Sequence, residues 1–222
     1  MTLKLKHAIN LHKGTTALLV VGLMLLYHNF SLGPWIYLVL HGGYGILWLL
    51  KDRIYPDKQW EQETSLTLAI TTFVVLGLYW LAPWLLISRG FTPSAPLIAA
   101  AVALNLFGVF FHYTSDAQKY FTLKYHPGLI TEGFFARCRN TNYAGEVLIY
   151  SSFALLSGHW LPFAVLGFFI VIVFIPNMKK KDQSLARYPE FAAYQAQSGQ
   201  LFPQLFARAS DPSSPTQNPE NV

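Results

Sequence analysis

Arg137, Arg139, Asn142 and Glu146 stand close together in RCRNTNYAGEVLIYSSFALLSG (137–158), where a polar loop runs into an apolar segment. Of the acidic residues, Glu146 alone falls inside a predicted membrane helix. An ionised side chain at mid-bilayer costs about 2.5–3.5 kcal/mol on the insertion scale, so such residues are usually functional or paired. Asn142 precedes it by four residues, and an i, i+4 pair projects from one helix face. Gly145, beside that face, allows another group to approach closely. Thr141 or Asn140 would cap the helix, turning its positive end toward Arg137 and Arg139. Together these residues describe an anion pocket at a helix start: backbone N–H groups, two guanidinium groups, then polar hooks leading inward. The competing assignment pairs Glu146 with Lys179 or Lys180 across the hairpin and gives it an ordering role.

Other polar residues are less committed. Asp116, followed by Lys119 and Lys124 in SDAQKYFTLK, would hold a ribose hydroxyl or a basic partner, or would be a solvated helix-end charge. His41, in LHGGYGILW, is either a proton donor or a core histidine bonded to a carbonyl. Gly42, Gly43 and Gly45 beside it favour close helix packing. Tyr79, in GLYWLAPW, is either a buried proton-donating phenol or an aromatic of the membrane interface with Trp80 and Trp84. Asn105 is a further polar residue within an apolar run.

The elements that must position these groups are membrane helices. Of 222 residues, 53% are hydrophobic and only 12% charged, against about 25% charged in a soluble domain. Six apolar blocks (15–30, 33–50, 66–87, 95–111, 143–156 and 160–178) are continuous rather than alternating, which predicts helices; a span needs about 20 apolar residues. The fifth block is short and would be shielded by protein. Six spans with both termini in the cytoplasm leave every Lys and Arg except Arg89 in the inside segments 1–14, 51–65, 112–142 and 179–222, as the positive-inside rule requires. The net charge of +5 therefore needs no nucleic acid. The single Cys138 excludes an internal disulfide and, with scattered histidines, gives no metal site. The first apolar block lacks a cleavage pattern and reads as a span rather than a leader. After the last block, KKKDQSLARYPEFAAYQAQSGQLF predicts an amphipathic helix carrying Tyr188, Phe191 and Tyr194, lying on the membrane or closing over 112–142. The polar end, 207–222, reads as a disordered tail.

From about 105 to 206 the chain resembles the C-terminal domain shared by steroid 5α-reductases and sterol C14/C24 reductases. SDAQK (115–119), GFFARCRNTNYAGE (133–146), KKKDQSLARYPEFAAY and the late FP (202–203) carry the resemblance. Asn142, Tyr143, Gly145 and Glu146 match the family's N-Y-x-G-E, and Asp116 matches the acid of its earlier element. The resemblance implies a cofactor domain at 105–206, behind substrate-side helices at 1–104. It further implies NADPH bound from the cytoplasm and hydride delivered to an activated carbon–carbon double bond of a steroid or other lipid entering from the bilayer. Arg137, Arg139 and Lys181, with Lys119 and Lys124, would neutralise its phosphates. Asn142 and Glu146 would bond it near the nicotinamide, Tyr143 would pack against it, and Asp116 would fix a ribose. No Asp or Glu precedes Asp52, so the early catalytic glutamate of the steroid 5α-reductases has no counterpart; Tyr79 and His41 are the nominees for the proton donor.

The same stretch is similar to membrane methyltransferases of the isoprenylcysteine and phospholipid type, which bind S-adenosylmethionine through R-H-P-x-Y-x-G and a later acidic pair. Arg139, Tyr143 and Gly145 fit that pattern; Asn140, Thr141 and Lys181–Asp182 depart from it. A catalytically silent lipid- or partner-binding protein on this scaffold is the third expectation. The expected location is an integral membrane protein of a bacterial inner membrane or an endoplasmic-reticulum-type membrane, with its cofactor site facing the cytoplasm.

Overall fold

The first helix, α1 (Leu5–Leu26), starts well before the apolar run that announced it, because helix formation does not stop at Lys13. A computed structural model describes residues 2–204; the tail expected at 207–222 lies outside them. Next come α2 (Leu32–Tyr37), a π-helical turn (Leu38–Gly42) and α3 (Gly43–Ile54), continuous over 32–54. They are followed by α4 (Leu66–Leu76) and α5 (Leu81–Ser88), joined by the 3-10 turn Gly77–Trp80. The long α6 (Ala95–Tyr125) and α7 (Thr141–Ser157) form a hairpin. Then α8 (Leu161–Phe169) runs through a π-helical turn into α9 (Ile175–Leu185), and α10 (Phe191–Gln197) follows.

The described residues form an all-helical bundle without strands. Four helices are long and apolar enough to cross a membrane: Leu5–Leu26, Leu66–Ser88, Ala95–Tyr125 and Leu161–Leu185. Their outward faces carry Leu18, Ile70, Val74, Leu106, Phe107 and Val171, all exposed. An apolar exterior this extensive is suited to acyl chains rather than water. Inside, Val20, Tyr37, Tyr44, Tyr79, Tyr150, Phe153 and Phe169 belong to one core.

The α6–α7 hairpin has the closest helix contact. Buried Ala101, Asn105, Gly108, His112 and Ser115 recur every three or four residues along α6 and meet Gly145, Ile149 and Ser152 of α7. A Cβ on Gly145 would lie 2.6 Å from the His112 nitrogen and 2.7 Å from the Gly108 carbonyl, so the backbones touch where only glycine fits. Asn105 spends its amide on Ser152 Oγ at 3.1 Å, an interhelical bond within the apolar layer. We expect Gly145→Ala to lose about 1–3 kcal/mol through forced separation of the helices. Gly22→Ala is the control, since nothing lies within 4 Å of the added methyl. Thermal unfolding of the two variants in one detergent measures the contrast; equal midpoints would remove the close-packing argument.

Candidate functional site

The charged residues gather at one end of the bundle. There α3, α6 and the segment following α3 enclose a cavity of about 480 Å³ lined by Lys51, Asp57, Lys58, Asp116, Lys119 and Lys124. A smaller cavity shares Lys119 with it and reaches Phe135, Arg139, Lys181 and Tyr194. Asp116 is buried between two ammonium groups, Lys51 at 3.1 Å and Lys119 at 3.5 Å, and Lys119 also reaches Asp57 at 3.1 Å. Lys58 and Lys124 are exposed and make no ion pair among the described residues. The basin is thus rich in positive charge, and two of its lysines remain available to an anionic ligand.

A column of polar side chains descends from this basin into the bundle. One turn below Asp116 on α6, His112 stacks near-parallel to Trp48 with ring centroids 6.0 Å apart. Trp48 is held in turn by its indole N–H donating to Asn10 Oδ1 at 2.9 Å. His112 Nδ1 lies 3.1 Å from the backbone carbonyl of Asn142, and Nε2 is 3.8 Å from Glu146 Oε1. That Nε2 is buried without a hydrogen-bond partner. A histidine that bonds one nitrogen to a carbonyl presents the other in a fixed direction. His112 therefore touches the α7 backbone at Asn142 and lies near the Glu146 carboxylate one turn on. Neither Lys179 nor Lys180 pairs with Glu146.

The loop before α7 is closed by the chain's last described segment. Gly199 exchanges backbone hydrogen bonds with Arg137 and Arg139, at 3.0 and 2.8 Å. Asn140 donates its amide to the Gln200 carbonyl at 2.8 Å and Cys138 Sγ lies 3.2 Å from the Leu201 carbonyl. Arg139 grips Asp182 through two bonds of 3.2 Å and also donates to the Ser198 carbonyl. Lys181 donates to the Arg139 carbonyl at 2.5 Å, and Tyr194 to the Phe135 carbonyl at 2.7 Å. Burial pushes the Tyr194 phenol up to about 12, so it stays a donor at neutral pH. Of the two placements the sequence left open for this segment, it takes the second, over the loop.

The expected site residues thus sort into groups. Asp116, Lys119 and Lys124 line the basin. The Asn142 backbone carbonyl and the Glu146 carboxylate lie at His112, and the ring of Tyr143 packs on Phe174 at 4.9 Å. Arg139 and Asp182 hold each other and the closing segment, which leaves Arg139 no free fork for a phosphate. Arg137 is exposed and lines neither cavity. Neither nominee for the proton donor reaches the basin. Tyr79 is buried, stacked on Tyr150 at 3.8 Å and on Phe169 at 4.3 Å, away from any interfacial belt. His41 bonds Tyr37 Oη at 2.8 Å and stacks on Phe153. The sequence reading passed over Lys51, Trp48, His112, Lys13 and Tyr150. Lys51 and His112 sit one residue past predicted span ends, where helices routinely continue beyond the last apolar residue, and that is the signal that would have found them.

The family described as a protein of unknown function, DUF1295, matches residues 51–198. The chain belongs to the DUF1295 family. The DUF1295 match begins at Lys51 and ends at Ser198, so it contains the basin, His112, Glu146 and the Arg139–Asp182 clamp, and leaves α1 outside. Comparison with curated proteins gives no match, and comparison with solved structures gives none either.

Proposed function

We propose that this protein is a membrane-embedded, NADPH-dependent reductase of a carbon–carbon double bond in a steroid or other lipid. The observation that carries the reading is the polar column leading from a lysine-rich basin to His112 and Glu146 in an otherwise apolar bundle. Lys58 and Lys124, with Lys119 on the basin wall, would neutralise phosphates. The unpartnered Nε2 of His112, with Asn142 and Glu146, would orient the ring end of the cofactor, which supplies hydride. The residues fit such a group because they place cations outermost and neutral or acidic hydrogen-bonding groups innermost. Arg139 is set aside as a phosphate ligand, being occupied. The helices at 32–54 and Thr141–Ser157 are the two further spans in this reading. Both termini and the basin then face the cytoplasm of a bacterial inner membrane or endoplasmic-reticulum-type membrane, in keeping with where the lysines and arginines fall.

Thermal unfolding of the purified protein in detergent, titrated with NADPH, NADH and S-adenosylmethionine, tests the reading. A ligand at a hundredfold excess over Kd stabilises by about 2.7 kcal/mol. We expect that gain with NADPH, and its loss in Glu146→Ala and Asn142→Ala. A response to S-adenosylmethionine alone would assign methyl transfer instead. Silence with every ligand would leave a lipid- or partner-binding protein.

A further inference from the structure

The lysine basin already holds two carboxylates of its own, and it holds them differently. Asp57, in the segment 55–64 between α3 and α4, lines the basin beside Asp116. Its Oδ2 accepts from Lys119 Nζ at 3.1 Å. Lys119 also lies 3.5 Å from Asp116, but its hydrogen bond goes to Asp57. The pairs differ in access to water. The side chains of Lys51 and Asp116 are 4% and 5% exposed, whereas those of Lys119 and Asp57 are 29% and 19% exposed. A sealed pair stays shut because parting it strands a buried charge. A wetted pair is weakly held and exchanges partners readily.

Both ends of the segment 55–64 are fixed. Tyr55 packs on Tyr120 and Phe121 of α6, with ring centroids 6.4 and 6.3 Å away. Glu61 accepts from Lys4 at 2.8 Å and from Lys6, and the Thr64 N–H donates to the Leu3 carbonyl at 2.9 Å. Between these anchors the Asp57 side chain accepts one further bond, from the Gln59 N–H to Oδ1 at 3.1 Å. This is the turn an aspartate forms with its own backbone two residues on. The carboxylate can therefore leave Lys119 by side-chain rotation while the segment keeps its course. Four lysines line the basin against two carboxylates, so turning Asp57 away raises the net charge there from +2 to +3.

We propose that Asp57 is the selectivity residue of the basin: it occupies Lys119 when no ligand is bound, and only a multiply charged phosphate group displaces it. The inference rests on the reading of the basin as a phosphate site and adds how that site rejects other anions. A free monocarboxylate meets Asp57 on unequal terms. The two carry the same charge, and the chain holds Asp57 beside Lys119 at an effective concentration that no dilute solute matches. A pyrophosphate brings more charge than the carboxylate it replaces and can meet Lys58 and Lys124 along with Lys119. It also gains from the positive field that the departing Asp57 uncovers.

Calorimetric titration of the full chain in a non-ionic detergent, with inorganic pyrophosphate as the probe, tests the proposal. Wild type is compared with Asp57→Asn, each checked for folding by its unfolding midpoint. Asparagine keeps the turn to Gln59, and Lys119 still has Asp116 beside it. We expect pyrophosphate to bind Asp57→Asn about tenfold more tightly than wild type, since a like charge has gone from its seat. Acetate should weaken pyrophosphate binding to Asp57→Asn more than equimolar chloride does, and should act like chloride on the wild type. A second measurement needs no variant: saturating the wild type with pyrophosphate should strip the Gln59 amide of its protection from hydrogen exchange, because its acceptor turns away. No pyrophosphate binding to either protein, equal affinities in the two, or unchanged exchange at Gln59 on saturation would overturn the proposal. The NADPH thermal shift is read separately. If pyrophosphate behaves as expected and NADPH gives no shift, the role of Asp57 stands and the cofactor reading falls. An NADPH shift of the same size in wild type and Asp57→Asn does the reverse.

Discussion

Asp116→Ala should cost about 3–5 kcal/mol of stability, the range seen when one partner of a buried ion pair is removed. The carboxylate lies between Lys51 and Lys119 with its side chain 5% exposed, and the Lys51 side chain is 4% exposed. Losing the anion leaves Lys51 charged in a buried site with no other carboxylate paired to it among the described residues, while Lys119 keeps Asp57. The asymmetry gives a sharper form of the experiment. Lys51→Met on the Asp116→Ala background removes the stranded charge and should recover part of the loss, whereas Lys119→Met on that background should recover little. Denaturant unfolding of the single and double variants yields the coupling. Strictly additive losses for Asp116 and Lys51 would mean that the two do not act as a pair.

Arg139→Ala is the second large effect, expected at about 3 kcal/mol because a half-buried Asp182 loses its partner and the Gln195 and Ser198 carbonyls lose their donor. Arg139→Lys should rescue poorly, since a single ammonium cannot span Asp182 and Ser198 as the planar fork does. The closing segment, 186–204, should become cleavable by protease in both variants while the hairpin of α6 and α7 stays protected. Unchanged protection of 186–204 in Arg139→Ala would show that the backbone bonds of Gly199 suffice.

How much of this arrangement the sequence discloses depends on the range over which each residue acts. That Asn142 and Glu146 share a helix face follows from spacing alone, as does the role of Gly145 in close packing. The helical bundle follows from the continuous apolar runs. Span boundaries drawn at the first charge, however, ended α6 at 111 and began α1 at 15, whereas the helices extend to Tyr125 and back to Leu5. That cut placed Lys13 and His112 in loops and hid both from the count of intramembrane polar residues. Tyr150 could not be singled out among the aromatics because Lys13, whose ammonium donates to its oxygen, lies 137 residues away. Arg139 looked available for phosphate for the same reason: its spacing to Asn142 is visible, and its grip on Asp182 and Ser198 is a matter of tertiary structure.

The closing segment bears on how the chain matures. Ribosomes deliver the membrane hairpins first and residues 199–204 late, so until those residues emerge the Arg137 and Arg139 backbone groups that pair with Gly199 and Gln204 have only water to satisfy them. The loop before α7 is therefore closed only once residues 199–204 have emerged, behind the helices that precede them. A nascent chain stalled before Gly199 should already be inserted and helical, yet unable to close the loop at Arg137 and Arg139.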